Sequence, residues 1–157
     1  MAALYPLLWR FCLVLTKNRT DADDLAQAAS ERALLHASKF EVGTDLDRWV
    51  FTIARRLWLN NKRHEKLRNG QGLVPVESTE LEDNAPSVET NIFARQVLKK
   101  IQALPEGQRL CVFLVYVEGQ SYREAADMLN IPIGTVMSRL STARRTISED
   151  VNQERTD

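Results

Sequence analysis

Residues 119–140 read GQSYREAADMLNIPIGTVMSRL, and this stretch decides the fold of the second half of the chain. Ser121 is followed three residues later by Glu124, which is the spacing of a capping box at the start of a helix. The pattern predicts a short helix over 122–129, a tight turn at Asn130, Ile131 and Pro132, and a second helix that begins immediately afterwards. Two helices joined by so short a turn indicate a helix-turn-helix layout.

The second of these helices has two different faces. Its apolar side chains recur at steps of four, three and four and form one stripe: Val136, Leu140, Ala143 and Ile147. The opposite face is small, polar and basic, and consists of Gly134, Ser138, Ser141, Thr142 and Arg145, flanked by Met137 and Arg144. Small side chains allow the backbone to approach DNA closely, and a helix fits a major groove about 12 Å wide. We therefore predict a DNA-reading helix; the alternative is a helical hairpin that packs and reads nothing.

Charge is sorted along the chain, although the 21 basic and 21 acidic residues cancel. Residues 54–68 carry six basic side chains against Glu65 alone, a net charge of +5, whereas residues 69–91 carry five acids and no Lys or Arg. DNA is a polyanion, and proteins that bind it unaided usually carry a surplus of cations. Because sorted charge concerns partners and not fold, it predicts a chain that selects a DNA site without holding it alone.

The first half of the chain reads as three helices. One helical face is formed by four residues at steps of four, three and four: Leu4, Leu8, Phe11 and Leu15. Asp21 suits the N-cap of a second helix over 21–40, and a third helix is predicted over 46–66. On this third helix an apolar arc lies opposite a basic face of Arg48, Arg55, Lys62 and Lys66. The basic face predicts phosphate contact, with a solvated face as the alternative.

These patterns predict an all-α fold of two small helical domains joined by a flexible acidic linker. The first domain spans residues 1–68 and has three or four helices. The linker, 69–91, mixes Gly, Pro, Ser and acids without a sustained period, so it cannot bury its own core. The helix-turn-helix domain spans 92–152 and includes a helix over 106–118 whose first turn holds Pro105; a short tail, 153–157, follows.

Other classes of protein lack support in the sequence. Cys12 and Cys111 are far apart without a C-x-x-C spacing, so we expect buried reduced thiols and neither a disulfide nor a metal site. His36 and His64 are isolated, and there is no glycine-rich phosphate loop or nucleophile elbow, so we expect no enzyme and no cofactor. Without a run of about 18 apolar residues, we expect a cytoplasmic chain with no membrane segment.

Three segments, in order, resemble the extracytoplasmic-function (group four) bacterial sigma factors. The segment SYREAADMLNIPIGTVMSRLSTAR at 121–144 is similar to their carboxy-terminal promoter-reading domain. DADDLAQAASERAL at 21–34 resembles their core-polymerase-binding helix, and FEVGTDLDRWVFTIARRLWLNNKR at 40–63 resembles their segment for reading and melting the −10 element. The pairing of DADDL with GTVMSRLS is most similar to the general-stress-response subgroup.

The resemblance implies a sigma2-like first lobe and a sigma4-like second lobe that act on RNA polymerase core. The residues implied to bind the clamp helices of the largest polymerase subunit are Asp21, Asp24, Gln27 and Glu31. Those implied to bind the −10 DNA are Val42, Gly43, Thr44, Asp45, Leu46, Arg55, Arg56, Lys62 and Arg63, the first five cradling a flipped base. Those facing the −35 groove are Met137, Ser138, Ser141 and Thr142, with phosphate contacts from Arg139, Arg144 and Arg145.

The chain also departs from the family pattern at three positions in these segments. Ala28 stands where an acid is usual, Arg56 replaces a common Asn, and Thr142 replaces a frequent Arg, so promoter preference does not transfer from relatives. Trp49 is expected in the core, whereas Trp58 is either a base-stacking platform or a packed side chain. The linker either threads towards the polymerase active site or is a solvated tether.

The function implied is promoter-specific transcription initiation in a stress response, with RNA polymerase core, promoter DNA and an anti-sigma factor as partners. Two other functions stay open. A sigma-like decoy that sequesters an anti-sigma factor is disfavoured by the retained basic helix and polar reading face. A stand-alone helix-turn-helix repressor is disfavoured by the neutral total charge and the single reading helix.

Overall fold

A computed structural model describes residues 1–70 and 92–156, which divide into two compact units. The first unit contains α1 (Tyr5–Thr16), α2 (Arg19–Leu35) and α3 (Leu46–Arg68). The second contains α4 (Ile92–Ala103), α5 (Glu106–Val112), α6 (Tyr122–Leu129) and α7 (Ile133–Thr156). This architecture confirms the predicted all-α fold with two helical domains. From residue 71 onward, the predicted acidic linker lies outside the described residues.

An aromatic pair lies at the centre of the first unit. Leu8, Phe11 and Leu15 on α1 are buried, as their spacing predicts. The ring of Phe11 stacks on that of Phe51 from α3, with the ring centroids 4.5 Å apart and the planes 8° from parallel. The buried face of α2 is built largely from small side chains, which allow close packing of its backbone against its neighbours: Ala22, Ala26, Ala29 and Ala33.

The start of α2 corrects the predicted N-cap. Asn18, in an extended conformation, is the capping residue, and its side-chain oxygen accepts a hydrogen bond of 3.1 Å from the backbone N–H of Asp21. Asp21 therefore lies within the first helical turn, where its negative charge faces the positive end of the helix dipole. The helix also ends earlier than predicted, at Leu35, and a single 3₁₀ turn over Ala37–Lys39 follows.

The capping box that opens α6 is confirmed in both of its hydrogen bonds. The hydroxyl of Ser121 accepts from the backbone N–H of Glu124 at 3.0 Å, and the Glu124 carboxylate accepts from the backbone N–H of Ser121 at 2.7 Å. Asn130 ends the helix in the left-handed region, with φ at 54°, a conformation that asparagine tolerates better than most residues. The chain can therefore reverse within the three residues that were predicted to form the turn.

Three boundaries in the second unit differ from prediction. Pro105 occupies the position before α5 and not its first turn. The helix predicted over 106–118 is α5 followed by one π-helical turn over Phe113–Val117, which buries Phe113 and Leu114 and leaves Val117 exposed. Residues 153–156, predicted as part of a tail, are the last turn of α7.

Both cysteines are free and buried, as predicted for reduced thiols. Burial raises the pKa of Cys12 to about 12. Within residues 1–70 and 92–156 no group of three metal-ligating side chains is found. No helix of the described ranges is long and apolar enough to cross a membrane.

Removal of the Ser121 hydroxyl is expected to destabilise the second unit. Ser121→Ala takes away the acceptor for the Glu124 N–H, so the free energy of unfolding should fall by about 1 kcal/mol. Urea denaturation followed by circular dichroism measures this loss. The control Glu124→Gln keeps an acceptor for the Ser121 N–H and should cost less; an equal loss in the two variants would contradict the assigned capping box.

Candidate polymerase and nucleic-acid interfaces

The acidic candidates form one exposed face of α2. The helix buries Leu25 and its alanines on one side, so the opposite side is left in solvent. All four residues expected to meet polymerase core are exposed there: Asp21, Asp24, Gln27 and Glu31. Their spacing of three, three and four places them within about 120° of the helix circumference. The structure therefore brings them together as a single surface, which we call the acidic face.

An apolar residue that sequence reasoning did not assign to this surface extends the acidic face. Leu35 follows Glu31 by four residues, so it lies one turn further along the same side of α2. It is 79% exposed, and its neighbour Leu34 is 63% exposed. The signal in the sequence was the i, i+4 spacing from Glu31, but a leucine near the end of a helix is ordinarily assigned to the core. The exposed Leu34 and Leu35 therefore form an apolar end to the acidic face.

The loop before α3 is a closed turn. The hydroxyl of Thr44 donates to the backbone carbonyl of Glu41 at 2.6 Å, and the Thr44 N–H donates to the same carbonyl at 3.1 Å. Gly43, with φ at 103°, supplies a conformation that other residues rarely adopt. Val42 is 99% exposed at the tip. The five loop residues predicted to cradle a base, Val42 to Leu46, are thus held together by local hydrogen bonds.

Both ends of this loop are anchored. The carboxylate of Asp45 caps α3 by accepting from the Asp47 N–H at 3.0 Å. Partial burial, and secondarily the negative charge of Asp45, raise the pKa of Asp47. On the other side, the ring of Phe40 contacts that of Trp49, with centroids 5.3 Å apart. Trp49 was expected in the core, but it is half-buried and its ring lies beside the loop.

The basic candidates on α3 line its outer side. Arg48, Arg56, Lys62 and Arg63 are exposed, whereas Arg55 is half-buried and interacts with another group of the protein. The ammonium of Lys62 lies over the ring of Trp58, 4.6 Å from its centroid. This cation–π contact covers one face of the indole and holds the Lys62 charge near the helix.

Helix α7, predicted to read DNA, turns its polar face outward. Val136, Leu140 and Ala143 are fully buried, so the opposite side of the helix turns outward. Four members of the predicted reading face are exposed, Gly134, Ser138, Ser141 and Arg145, and Thr142 is half-buried. The flanking Met137 and Arg144 are exposed as well. The side chains in the middle of this face are small, so the outer surface of α7 is shallow there.

Two of the arginines predicted to contact phosphates have side chains that contact other residues of the second unit. The guanidinium of Arg139 lies against Gly107 on α5, where an added Cβ would come within 2.8 Å of Cζ. The guanidinium of Arg144 donates a 2.6 Å hydrogen bond to the hydroxyl of Tyr116. A phosphate contact by either side chain would require it to leave these partners, so this role stays a prediction.

A cavity in the second unit was not anticipated from the sequence. It has a volume of about 470 Å³ and lies between α4, α5, the π-helical turn and α7, with Val97, Ile101 and Ile147 among its apolar lining. Its polar lining comes from Tyr116, Arg144, Ser148 and Asn152. Its residues come from segments separated by some fifty positions, so no local pattern marks it.

Comparisons with known proteins identify the family to which both units belong. The family model for sigma-70 region 2 matches residues 1–68, and that for sigma-70 region 4 matches residues 94–147. The extracytoplasmic-function RNA polymerase sigma factor EcfG of Rhodopseudomonas palustris is 33% identical over 93% of this chain and 80% of its own. The sigma factor SigW of Bacillus subtilis is 26% identical over 92% of this chain and 82% of its own.

Solved structures give the same result for the fold. The sigma factor RpoE from Bartonella quintana, crystallised with the anti-sigma factor NepR, superposes with a TM-score of 0.76 at 27% identity, covering 96% of this chain and 93% of its own. CnrH, solved with the cytosolic domain of CnrY, superposes with a TM-score of 0.60 at 20% identity, over 93% of this chain and 80% of its own. The second likeness concerns the fold alone.

Proposed function

The chain belongs to the extracytoplasmic-function sigma factors of the sigma-70 family, which are transcription factors and not enzymes, and we propose that it directs RNA polymerase core to promoters. In this proposal α7 reads a −35 element, and the loop before α3 reads a −10 element together with the basic side of α3. The chain acts in the cytoplasm, where polymerase and promoter DNA are found.

The observation that carries the proposal is the outer face of α7. Ser138 and Ser141 are exposed on the side opposite the buried Val136 and Leu140. A helix that is firmly packed on one side and bears short polar side chains on the other can lie close to base edges in the major groove. The preceding α6 is fixed by its capping box, so the reading helix is held at a defined angle by a short turn.

Polymerase core supplies the affinity that this chain lacks. The formal net charge is zero, and a protein that neutralises few phosphates binds DNA weakly and loses that binding as salt increases. The acidic face of α2, ending in the exposed Leu35, offers carboxylates and one apolar anchor to a basic partner surface. Docking through this face places both DNA-reading surfaces on the promoter at once, which raises their effective concentration.

Recognition of the −10 element uses the closed loop before α3. A base flipped out of melted DNA needs a pocket that already has its shape, because ordering a mobile loop on binding costs free energy. The hydrogen bonds of Thr44 and Asp45 and the Phe40–Trp49 contact provide this order before DNA arrives. The exposed cations Arg56, Lys62 and Arg63 contact the phosphates beside the pocket.

The proposed regulator is an anti-sigma factor, and the proposed setting is a stress response. The proposal rests on the similarity to RpoE, whose structure was solved with an anti-sigma factor bound. Such a partner would cover both the acidic face and α7, which hydrogen exchange of the complex measures directly. Unchanged exchange at both surfaces in the complex would rule out this mode of control.

Transcription reconstituted from purified parts tests the function as a whole. The protein, bacterial core RNA polymerase and a pool of genomic promoter fragments are mixed, and the transcripts are sequenced. Specific start sites that need both the protein and core establish a sigma factor. Firm DNA binding without core would instead indicate a repressor, and binding to an anti-sigma protein without transcription would indicate a decoy.

Reversing one charge on the acidic face is expected to weaken core association. Asp24→Lys places a cation where the proposed partner surface is itself basic, so affinity for core should fall by about tenfold or more. Fluorescence anisotropy of the labelled protein titrated with core, in the absence of DNA, measures the change. Glu41→Lys makes the same charge reversal outside the acidic face and should leave affinity for core unaltered; equal losses would show that net charge alone is responsible.

A further inference from the structure

Arg139 projects from the flank of α7 towards α5. It is half-buried, and its guanidinium occupies the space that a side chain at position 107 would fill: a Cβ on Gly107 would lie 2.8 Å from Cζ and 2.9 Å from Nη1 of Arg139. The guanidinium also lies near the thiol of the buried Cys111. Burial raises the pKa of that thiol, and the charge of Arg139 lowers it in part. The Arg139 guanidinium thus occupies a space that is open only because residue 107 is glycine.

Arg144 makes the corresponding contact on the other flank of α7. It donates to the Tyr116 hydroxyl at 2.6 Å, and Tyr116 lies in the π-helical turn after α5. Tyr122, the first residue of α6, also lies near this guanidinium, and the interactions with Tyr122 and then Tyr116 raise the pKa of Arg144. One guanidinium on α7 therefore bonds to the π-helical turn and lies beside the start of α6.

The helical geometry explains why the half-buried Arg139 and the exposed Arg144 contact neighbouring elements while Arg145 does not. At 100° per residue, Arg139 and Arg144 lie about 70° to either side of the centre of the buried stripe formed by Val136, Leu140 and Ala143. Arg145 lies about 170° from that centre, alongside Ser138. Long side chains at the edges of a buried stripe can reach the neighbouring helices, whereas a side chain opposite the stripe reaches only solvent or DNA.

We infer that Arg139 and Arg144 are positioning residues that brace α7 on its two flanks, against α5 and against Tyr116 and Tyr122, and that they do not neutralise DNA phosphates. The inference rests on the proposed function, since it concerns how the reading helix is held. It assigns the direct phosphate contact to Arg145. Glycine at position 107 is part of the same device, because any larger residue displaces the Arg139 guanidinium.

The salt dependence of promoter affinity distinguishes a positioning residue from one that contacts a phosphate. Each phosphate neutralised contributes about 0.9 to the slope of log affinity against log salt concentration. With holoenzyme made from core and the full chain, Arg145→Met should lower this slope by about 0.9 on a promoter that carries the −35 element. Arg139→Met and Arg144→Met should leave the slope unchanged, yet reduce discrimination between that promoter and one with a scrambled −35 element by about tenfold, and lower the melting temperature of the free protein.

A second variant tests the brace without removing a charge. Gly107→Ala improves the helix propensity of α5 but pushes the Arg139 guanidinium out of its seat towards solvent. It should reproduce the loss of −35 discrimination seen for Arg139→Met at an unchanged salt slope. A fall in slope of about 0.9 for Arg139→Met or Arg144→Met, or unaltered discrimination in Gly107→Ala, would overturn the inference. Failure of the wild-type holoenzyme to discriminate the −35 element would instead overturn the proposed function.

Discussion

Replacing Ser138 with glutamate is expected to lower transcription that depends on the −35 element by about a hundredfold, an effect of about 2.7 kcal/mol on the complex. Ser138 is exposed in the middle of the reading face of α7. A carboxylate at that position would face the negative potential of the groove, and it would lose hydration without gaining a donor. Glutamate has a better helix propensity than serine, so the fold of the helix is retained.

The measurement compares promoter-specific transcripts and core association for the same variant. Core affinity should equal that of the wild type, because Ser138 lies in the unit that does not carry the acidic face. Thr146→Glu is the matched control, since Thr146 is exposed on the same helix about two turns further on and outside the reading face. Equal transcription from the Ser138→Glu and wild-type proteins would remove Ser138 from the groove.

Truncation of Phe51 is expected to unfold most of the first unit at physiological temperature. Its side chain is 1% exposed and stacks on the fully packed Phe11, so Phe51→Ala leaves a large cavity and removes an aromatic contact. Such changes cost about 3–5 kcal/mol, which is comparable with the total stability of a small domain. Core binding should be lost with the fold of this unit, because the acidic face belongs to α2 of the same three-helix core.

Urea denaturation monitored by tryptophan fluorescence follows this unit specifically, because its three tryptophans are Trp9, Trp49 and Trp58 and the second unit has none. Phe51→Leu keeps most of the volume and should cost about 1 kcal/mol. The second unit has its own buried core and should stay folded in both variants, as circular dichroism of the remaining helix would show. If Phe51→Ala lowers the free energy of unfolding by as little as Phe51→Leu does, α1 moves to fill the cavity and the prediction is wrong.

Prediction from sequence succeeded where one local interaction decides the structure. The capping box at Ser121 and Glu124 was predicted with its hydrogen-bonding roles, and the turn at Asn130 was predicted by its position, because both depend on residues within four positions of each other. It failed at the N-cap of α2, where Asn18 and Asp21 both suit a cap and only the backbone geometry separates them. It also missed the π-helical turn over Phe113–Val117, since no residue in that run breaks a regular helical pattern.

The sequence by itself determined the buried stripes of α1 and α7, and therefore that a small polar face on α7 is left outside, whereas the acidic face of α2 was expected from the family resemblance. Apolar periodicity carries this information, because burial of apolar area is the dominant favourable contribution to folding and needs no knowledge of the partner. Only the tertiary structure decided where the long charged side chains point. The positions of Arg139 and Arg144 depend on Gly107, Cys111 and Tyr116, which lie 28 to 32 residues away along the chain, and no periodicity of α7 encodes those neighbours.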